Sequence, residues 1–144
     1  MRFKEWLLLT HNDSFLSGDH TFAYEYPRSP HHGVMVIANI DKVDAAWAKD
    51  SEMHIGAGGS TNTIGNRYDQ FGRWLNYKNE PNDRVPRESG EPIKMPFVHY
   101  DEKNGKIIFI NGRHRMAWLR DHGAKEMAFE VSPESAKAFK RDFE

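Results

Sequence analysis

The 144-residue sequence contains no cysteine, which excludes a disulfide framework, a thiolate metal site and a cysteine nucleophile. A long apolar run is missing as well. Trp6-Leu7-Leu8-Leu9, the longest near the N-terminus, is far too short for a membrane span or a secretory segment, so no membrane partner is expected and the expected compartment is cytoplasmic. Neither sign of charge is in excess, with 20 basic against 21 acidic residues. No global field therefore draws the chain onto nucleic acid or an anionic surface, and any DNA contact must come from a local patch. Eight histidines are present without a His-x-x-x-His or His-Glu-x-x-His pattern, and the adjacent His31 and His32 would point different ways on a strand, so no metal site is expected from them.

What remains is a chain of one-domain size, able to bury a core without staples. Residues 1–33 read as an N-terminal extension: Trp6 to Leu9 suits a short strand or helix edge, and Thr21 to Tyr26 alternates weakly like a strand. Asn12-Asp13-Ser14, Ser17-Gly18-Asp19 and Pro27 to Pro30 are turn chemistry. The core spans 34–131. Val34 to Ala38 reads as a central strand, and Asp41 to Lys49 as a helix carrying Val43, Ala46 and Trp47 on one face. Gly56 to Thr63 is a glycine- and hydroxyl-rich loop without the Gly-Lys-Ser/Thr ending of a P-loop; it suits either a mobile surface loop or one that closes over a ligand. Ile64, Tyr68, Phe71, Trp74 and Leu75 recur at helical spacing, predicting an amphipathic helix from Asn66 to about Lys78 with an aromatic core face. A polar loop, Asn79 to Gly90, leads to the strand Glu91 to His99. Met95 to Tyr100 and Lys106 to Ile110 form a hairpin around Asp101 to Gly105, with Asn104-Gly105 supplying positive torsions. Residues 132–144 hold a final helix, Pro133 to about Asp142, opened by Ser132, Pro133 and Glu134.

The densest signal is Lys106 to Arg115, running on to Gly123. A buried strand turns at Asn111-Gly112 and opens into a helix with Arg113, His114 and Arg115 on its first turn. The first N–H groups of a helix have no intrahelical partner and the dipole adds positive charge there, so such a turn makes an anion site. Two arginines at that end oppose the dipole and point to something negative nearby. The alternative is an ordinary turn with solvated arginines.

Gly112-Arg113-His114-Arg115, followed by a helix ending at His122-Gly123 and a strand from Met127 to Val131, resembles the signature of the ParB/sulfiredoxin superfamily. The likeness covers roughly residues 34–131. It implies an α/β (α+β) fold, a small mixed sheet flanked by helices, with nucleotide phosphates bound at the turn by Asn111, Gly112, Arg113, His114 and Arg115. Asn66-Arg67 resembles the family's Asn-x-Arg element, which implies Arg67 as a second phosphate contact. The ligand so implied is ATP or CTP with Mg2+. Sulfiredoxin chemistry itself is excluded, because its catalytic cysteine is replaced by Arg113. No helix-turn-helix domain of the ParB type follows, so a stand-alone plasmid- or phage-type member is expected.

The resemblance implies a nucleoside-triphosphate phosphohydrolase that also cleaves DNA, with His114 and Arg115 as catalytic residues. His114 would donate a hydrogen bond or act as general acid or base, or else be a structural histidine. Glu52, Asp69 and Asp101 are the carboxylates considered for magnesium. Transfer of phosphate to a small molecule is a further reading. The competing class is a non-catalytic module that recognises a nucleotide, DNA or a protein partner, with self-association as a homodimer also open.

Overall fold

The computed structural model describes residues 14–25 and 33–144. Trp6 to Leu9, the turn at Pro27 to Pro30, and His31-His32 lie outside the described residues. Among the described residues the fold is α+β, built of two small mixed sheets and four helices. Strands β1 (Ser14–Ser17), β2 (His20–Ala23) and β4 (Ile93–Lys94) make a three-stranded sheet, antiparallel between β1 and β2 and parallel between β2 and β4. Strands β3 (Val34–Asn39), β5 (Phe97–Asp101), β6 (Lys106–Asn111) and β7 (Glu126–Val131) make a four-stranded sheet in the order β3-β7-β5-β6. Residues 14–17 and 20–23, within the stretch read from sequence as an N-terminal extension, form two strands of the small sheet, while Asn12 and Asp13 of the expected turn lie outside the described residues.

The helices are α1 (Ile40–Trp47), α2 (Arg67–Leu75), α3 (Arg113–Asp121) and α4 (Ala136–Phe143). α1 starts where the Asn39 side chain accepts from the Lys42 N–H at 2.9 Å, and Asp41 adds a carboxylate to its first turn. Val43, Ala46 and Trp47 share its buried face, as their spacing predicts. α1 and α4 pack on one face of the large sheet. Trp47 meets Phe109 with ring centroids 4.5 Å apart, Tyr100 meets Phe143 at 4.8 Å, and Phe129 meets Phe139 at 5.8 Å. The small sheet lies against the other face of β7, where Ser17 donates to Glu126.

Four local expectations change. Among the described residues β3 is an edge strand, paired with β7 alone; a short Val/Ile-rich run reads the same at the edge as in the centre. The expected strand Glu91 to His99 splits in two, because Pro96 has no N–H to give a ladder. Just before it the Met95 N–H donates to Ala23 O, and the Pro96 carbonyl itself accepts from the Glu130 N–H, so the chain passes from one sheet to the other at this proline. In the β5–β6 hairpin only Gly105 takes a positive φ, and Asn104 instead hydrogen-bonds back to the Asp101 carboxylate. The C-terminal helix begins as a 3-10 turn over Pro133–Ser135 before α4 proper.

Candidate functional site

β6 delivers Asn111 and Gly112 to the mouth of a pocket. Gly112 has φ 81, a conformation costly for any residue with a Cβ. Space excludes a side chain independently, since a Cβ there would lie 2.7 Å from Pro96 Cα and 2.6 Å from Arg115 Nη2. Asn111 Oδ1 accepts from the Phe97 N–H at 3.1 Å, bracing the irregular step between β5 and β6 and leaving the Asn111 amide group for the pocket side. The first intrahelical bond of α3 is Met116 N–H to Gly112 O, so the N–H groups of Arg113, His114 and Arg115 have no partner within the helix.

The pocket encloses about 540 Å³, a volume in the range of small-ligand sites. Asn111 at the end of β6, the cap residue Gly112, and His114 and Arg115 on the first turn of α3 line one side, and Arg67 lines it from the start of α2. Five of the six residues expected to touch phosphate therefore meet in one cavity, although Arg67 and Arg115 come from separate stretches of chain. Gln70, Phe71 and Trp74 extend the α2 wall, while Glu25, Glu91 and Lys94 approach from the small-sheet side.

The sixth, Arg113, is turned elsewhere. Its Nη1 donates to Met53 O and Asn62 O, and the residue is buried. Helix geometry explains the divergence: two residues of α-helix rotate a side chain by about 200°, so Arg113 and Arg115 cannot both face one ligand. That spacing was visible in the sequence.

His114 accepts at Nε2 from the Ile64 N–H, 3.0 Å away. Burial first, and then the positive charges of Arg113, Arg67 and Arg115, lower its pKa to about 4. The ring is therefore neutral near pH 7 with its proton on Nδ1, and its Nε2 lone pair is engaged. A general acid or base role for His114 finds no support in this arrangement.

Arg115 Nη2 donates to Glu25 Oε1 at 2.7 Å. Burial lowers the Arg115 pKa from its ordinary value and the Glu25 carboxylate counteracts this. Behind this pair Glu130 is only 2 % exposed, packed beneath Gly33, where any Cβ would collide with its carboxylate. Burial, then Glu25, raises the Glu130 pKa to about 7. Arg67 and Lys94 form no ion pair among the described residues, which leaves them as the pocket's uncommitted cations.

The aromatic wall is packing with one accessible edge. Phe71 and Trp74 stack with centroids 5.9 Å apart, and the Arg87 guanidinium lies 4.9 Å from the Trp74 centroid while donating to Leu75 O and Glu91 O.

The glycine-rich loop is tied down rather than free to close. Arg120 uses all five donors, on Asp44, Ile55 O, Gly56 O and both oxygens of Asp121. Asp121 also accepts from the Gly58 N–H at 2.8 Å and the Tyr68 hydroxyl at 2.7 Å, which with burial raises the Tyr68 pKa to about 12. Sequence reading missed this clamp, yet a carboxylate in the last turn of a helix works against the dipole and so signals a tertiary role. Of the carboxylates considered for magnesium, none lines the pocket. Asp69 faces a separate groove beside Trp118, Asp101 is engaged by Asn104 in the hairpin, and Glu52 lies exposed after α1.

No protein-family model matches the chain, and no curated protein matches its sequence. Its fold is similar to a solved structure of the Oncogenic Suppression Activity protein, a plasmid fertility inhibition factor, in a gold(I) cyanide derivative. The TM-score is 0.59 at 13% identity, over 92% of this chain and 66% of that one.

Proposed function

We propose that this chain is a ParB/sulfiredoxin-like nucleotide-binding module of plasmid or phage type. Its pocket takes the phosphates of ATP or CTP between Asn111, Gly112, His114 and Arg115 on one side and Arg67 on the other. The observation that carries this reading is the convergence of two helix starts on one cavity, each bringing an arginine. Helix N-termini and arginine forks are the standard protein chemistry for phosphate. Arg113 supports the site indirectly, by holding the 53–62 segment from which α2 sets out. The name of the similar structure, a plasmid fertility inhibition factor, agrees with a module of plasmid type, and the near-zero net charge argues that any DNA contact is confined to such a patch.

Magnesium would arrive with the nucleotide, since among the described residues no group of three His, Cys, Asp or Glu could hold a metal alone. Phosphate oxygens would supply most of its ligands, with Glu91 as the pocket carboxylate outside the Arg115 pair; the ion's part is to neutralise phosphate charge.

Turnover is the second reading, favoured by the carboxylates of Glu25 and Glu91 lining the same pocket as the cations. Arg67 and Arg115 would then stabilise charge developing on the transferred phosphoryl group. Calorimetric titration with ATP, ADP and CTP, with and without magnesium, tests binding, and phosphate release tests turnover. Nucleotide binding lost in both Arg67→Ala and Arg115→Ala is the expected result. Binding that survives both substitutions would refute the proposal.

A further inference from the structure

Arg115 is the cation on which the proposed phosphate site depends, yet its guanidinium already holds an anion. Glu25, 90 residues earlier and just past the end of β2, supplies the carboxylate. Both residues line the pocket. The arrangement leaves Arg115 Nε buried with no hydrogen-bond partner. A guanidinium N–H that reaches neither an acceptor nor solvent bears its desolvation cost in full. The ion pair with Glu25 is therefore what keeps the side chain in this position. A carboxylate on an arginine fork also presents the same paired anionic oxygens as a phosphate group.

We infer that Glu25 is a built-in occupant of the anion site, holding Arg115 closed until the phosphates of an incoming nucleotide displace it. This rests on the nucleotide-phosphate reading of the pocket. Displacement lets the guanidinium turn and pair its Nε–H with a phosphate oxygen. Because Glu25 is tethered, it competes at high effective concentration. A monoanion such as acetate cannot outbid it, whereas a di- or triphosphate, with more charge and more acceptors, can. The site so built selects polyphosphates over simple anions.

The test compares wild type with Glu25→Gln, which removes the charge at nearly constant volume, and with Glu25→Asp, which keeps the charge but shortens its reach. Calorimetry with inorganic pyrophosphate and with ATP should show at least tenfold tighter binding in Glu25→Gln and a smaller gain in Glu25→Asp. Inorganic phosphate should become a detectable ligand in Glu25→Gln alone. Wild-type binding that depends on Arg115 but is unchanged or weakened in both Glu25 variants would overturn the displacement idea and leave the pocket reading intact. Failure of every probe to bind wild type and both variants would overturn the pocket reading and this inference together. Matched thermal melts exclude unfolding as the cause.

Discussion

The Ile64 N–H donates to His114 Nε2 at 3.0 Å, joining the first turn of α3 to the segment that launches α2. Three residues after Ile64 comes Arg67, whose N–H donates to Ile64 O. One imidazole thus links the two halves of the proposed phosphate clamp. The bond also fixes the tautomer, since an accepting Nε2 in a neutral ring requires the proton on Nδ1.

Removing that link should loosen Arg67 as well as the fold. His114→Ala removes the acceptor of the Ile64 N–H; because Ile64 is exposed, water replaces part of that bond, so the loss should be about 1 kcal/mol, and nucleotide binding should weaken even though Arg115 is intact. The pH dependence has a definite sign. The folded pKa of about 4 lies below the unfolded 6.5, so between them the unfolded chain binds more protons. Wild-type stability should be full above pH 6.5 and fall as the pH drops toward 4. Urea denaturation at pH 7.5 and 4.5 checks this; the gap between wild type and His114→Ala should narrow at the lower pH. A two-dimensional ¹⁵N spectrum should show a neutral Nδ1–H ring at pH 6.

Glu130 behaves in the opposite sense. Its pKa is raised from 4.5 to about 7 in the folded chain, so the folded state holds a proton that the unfolded state has lost. Stability from this residue falls as pH rises through that window and stays reduced above it. Glu130→Gln keeps the shape and removes the charge, and should stabilise the protein at pH 8 by up to about 3 kcal/mol while matching wild type near pH 4. Equal melting temperatures at pH 8 would show that the Glu130 carboxylate finds compensation there.

The Asn111-Gly112 turn was legible in the sequence because its requirement is local: only glycine suits the left-handed conformation that ends β6, and helical periodicity resumes at once. The face of α1 was legible for the same reason. Glu25 was not, because it lies in a stretch without strong periodicity and its meaning depends on Arg115, 90 residues away. The Arg120–Asp121 clamp was hidden likewise, since its partners are backbone carbonyls and amides that carry no sequence signature. Pro96 is the instructive middle case. A proline inside an apolar run should have divided the strand, and the run of β-formers around it obscured that.

Gly112 permits a sharp test of the turn itself. Gly112→Ala places a Cβ in a left-handed conformation, costing about 1–2 kcal/mol for φ alone. It also presses against Pro96 Cα, which is backbone and cannot yield as a side chain can. Larger destabilisation than the φ term is expected, together with loss of nucleotide binding. Gly123→Ala is the control: Gly123 also has a positive φ, but a Cβ there meets nothing within 4 Å, so only the smaller conformational loss should appear in its melting curve and binding should be retained.

Arg120 is the centre of the contacts that tie down the glycine-rich loop. Its five donors hold Ile55 and Gly56 on one side and the Asp44 and Asp121 carboxylates on the other. Arg120→Ala strips the compensating charge from two partly buried carboxylates, a change that costs about 3–5 kcal/mol where the pair is fully buried and proportionately less here. Arg120→Met fills more of the same volume and isolates the electrostatic part. Hydrogen exchange at Gly58 and Gly59 should accelerate in both variants, because Asp121 loses the cation that orients it toward the Gly58 N–H. If nucleotide also shields these amides in wild type, the loop senses the pocket through α3. Unchanged exchange in Arg120→Met would mean that Tyr68 and Arg113 suffice to hold the loop, and that the fivefold contact of Arg120 serves α3 and α1 instead.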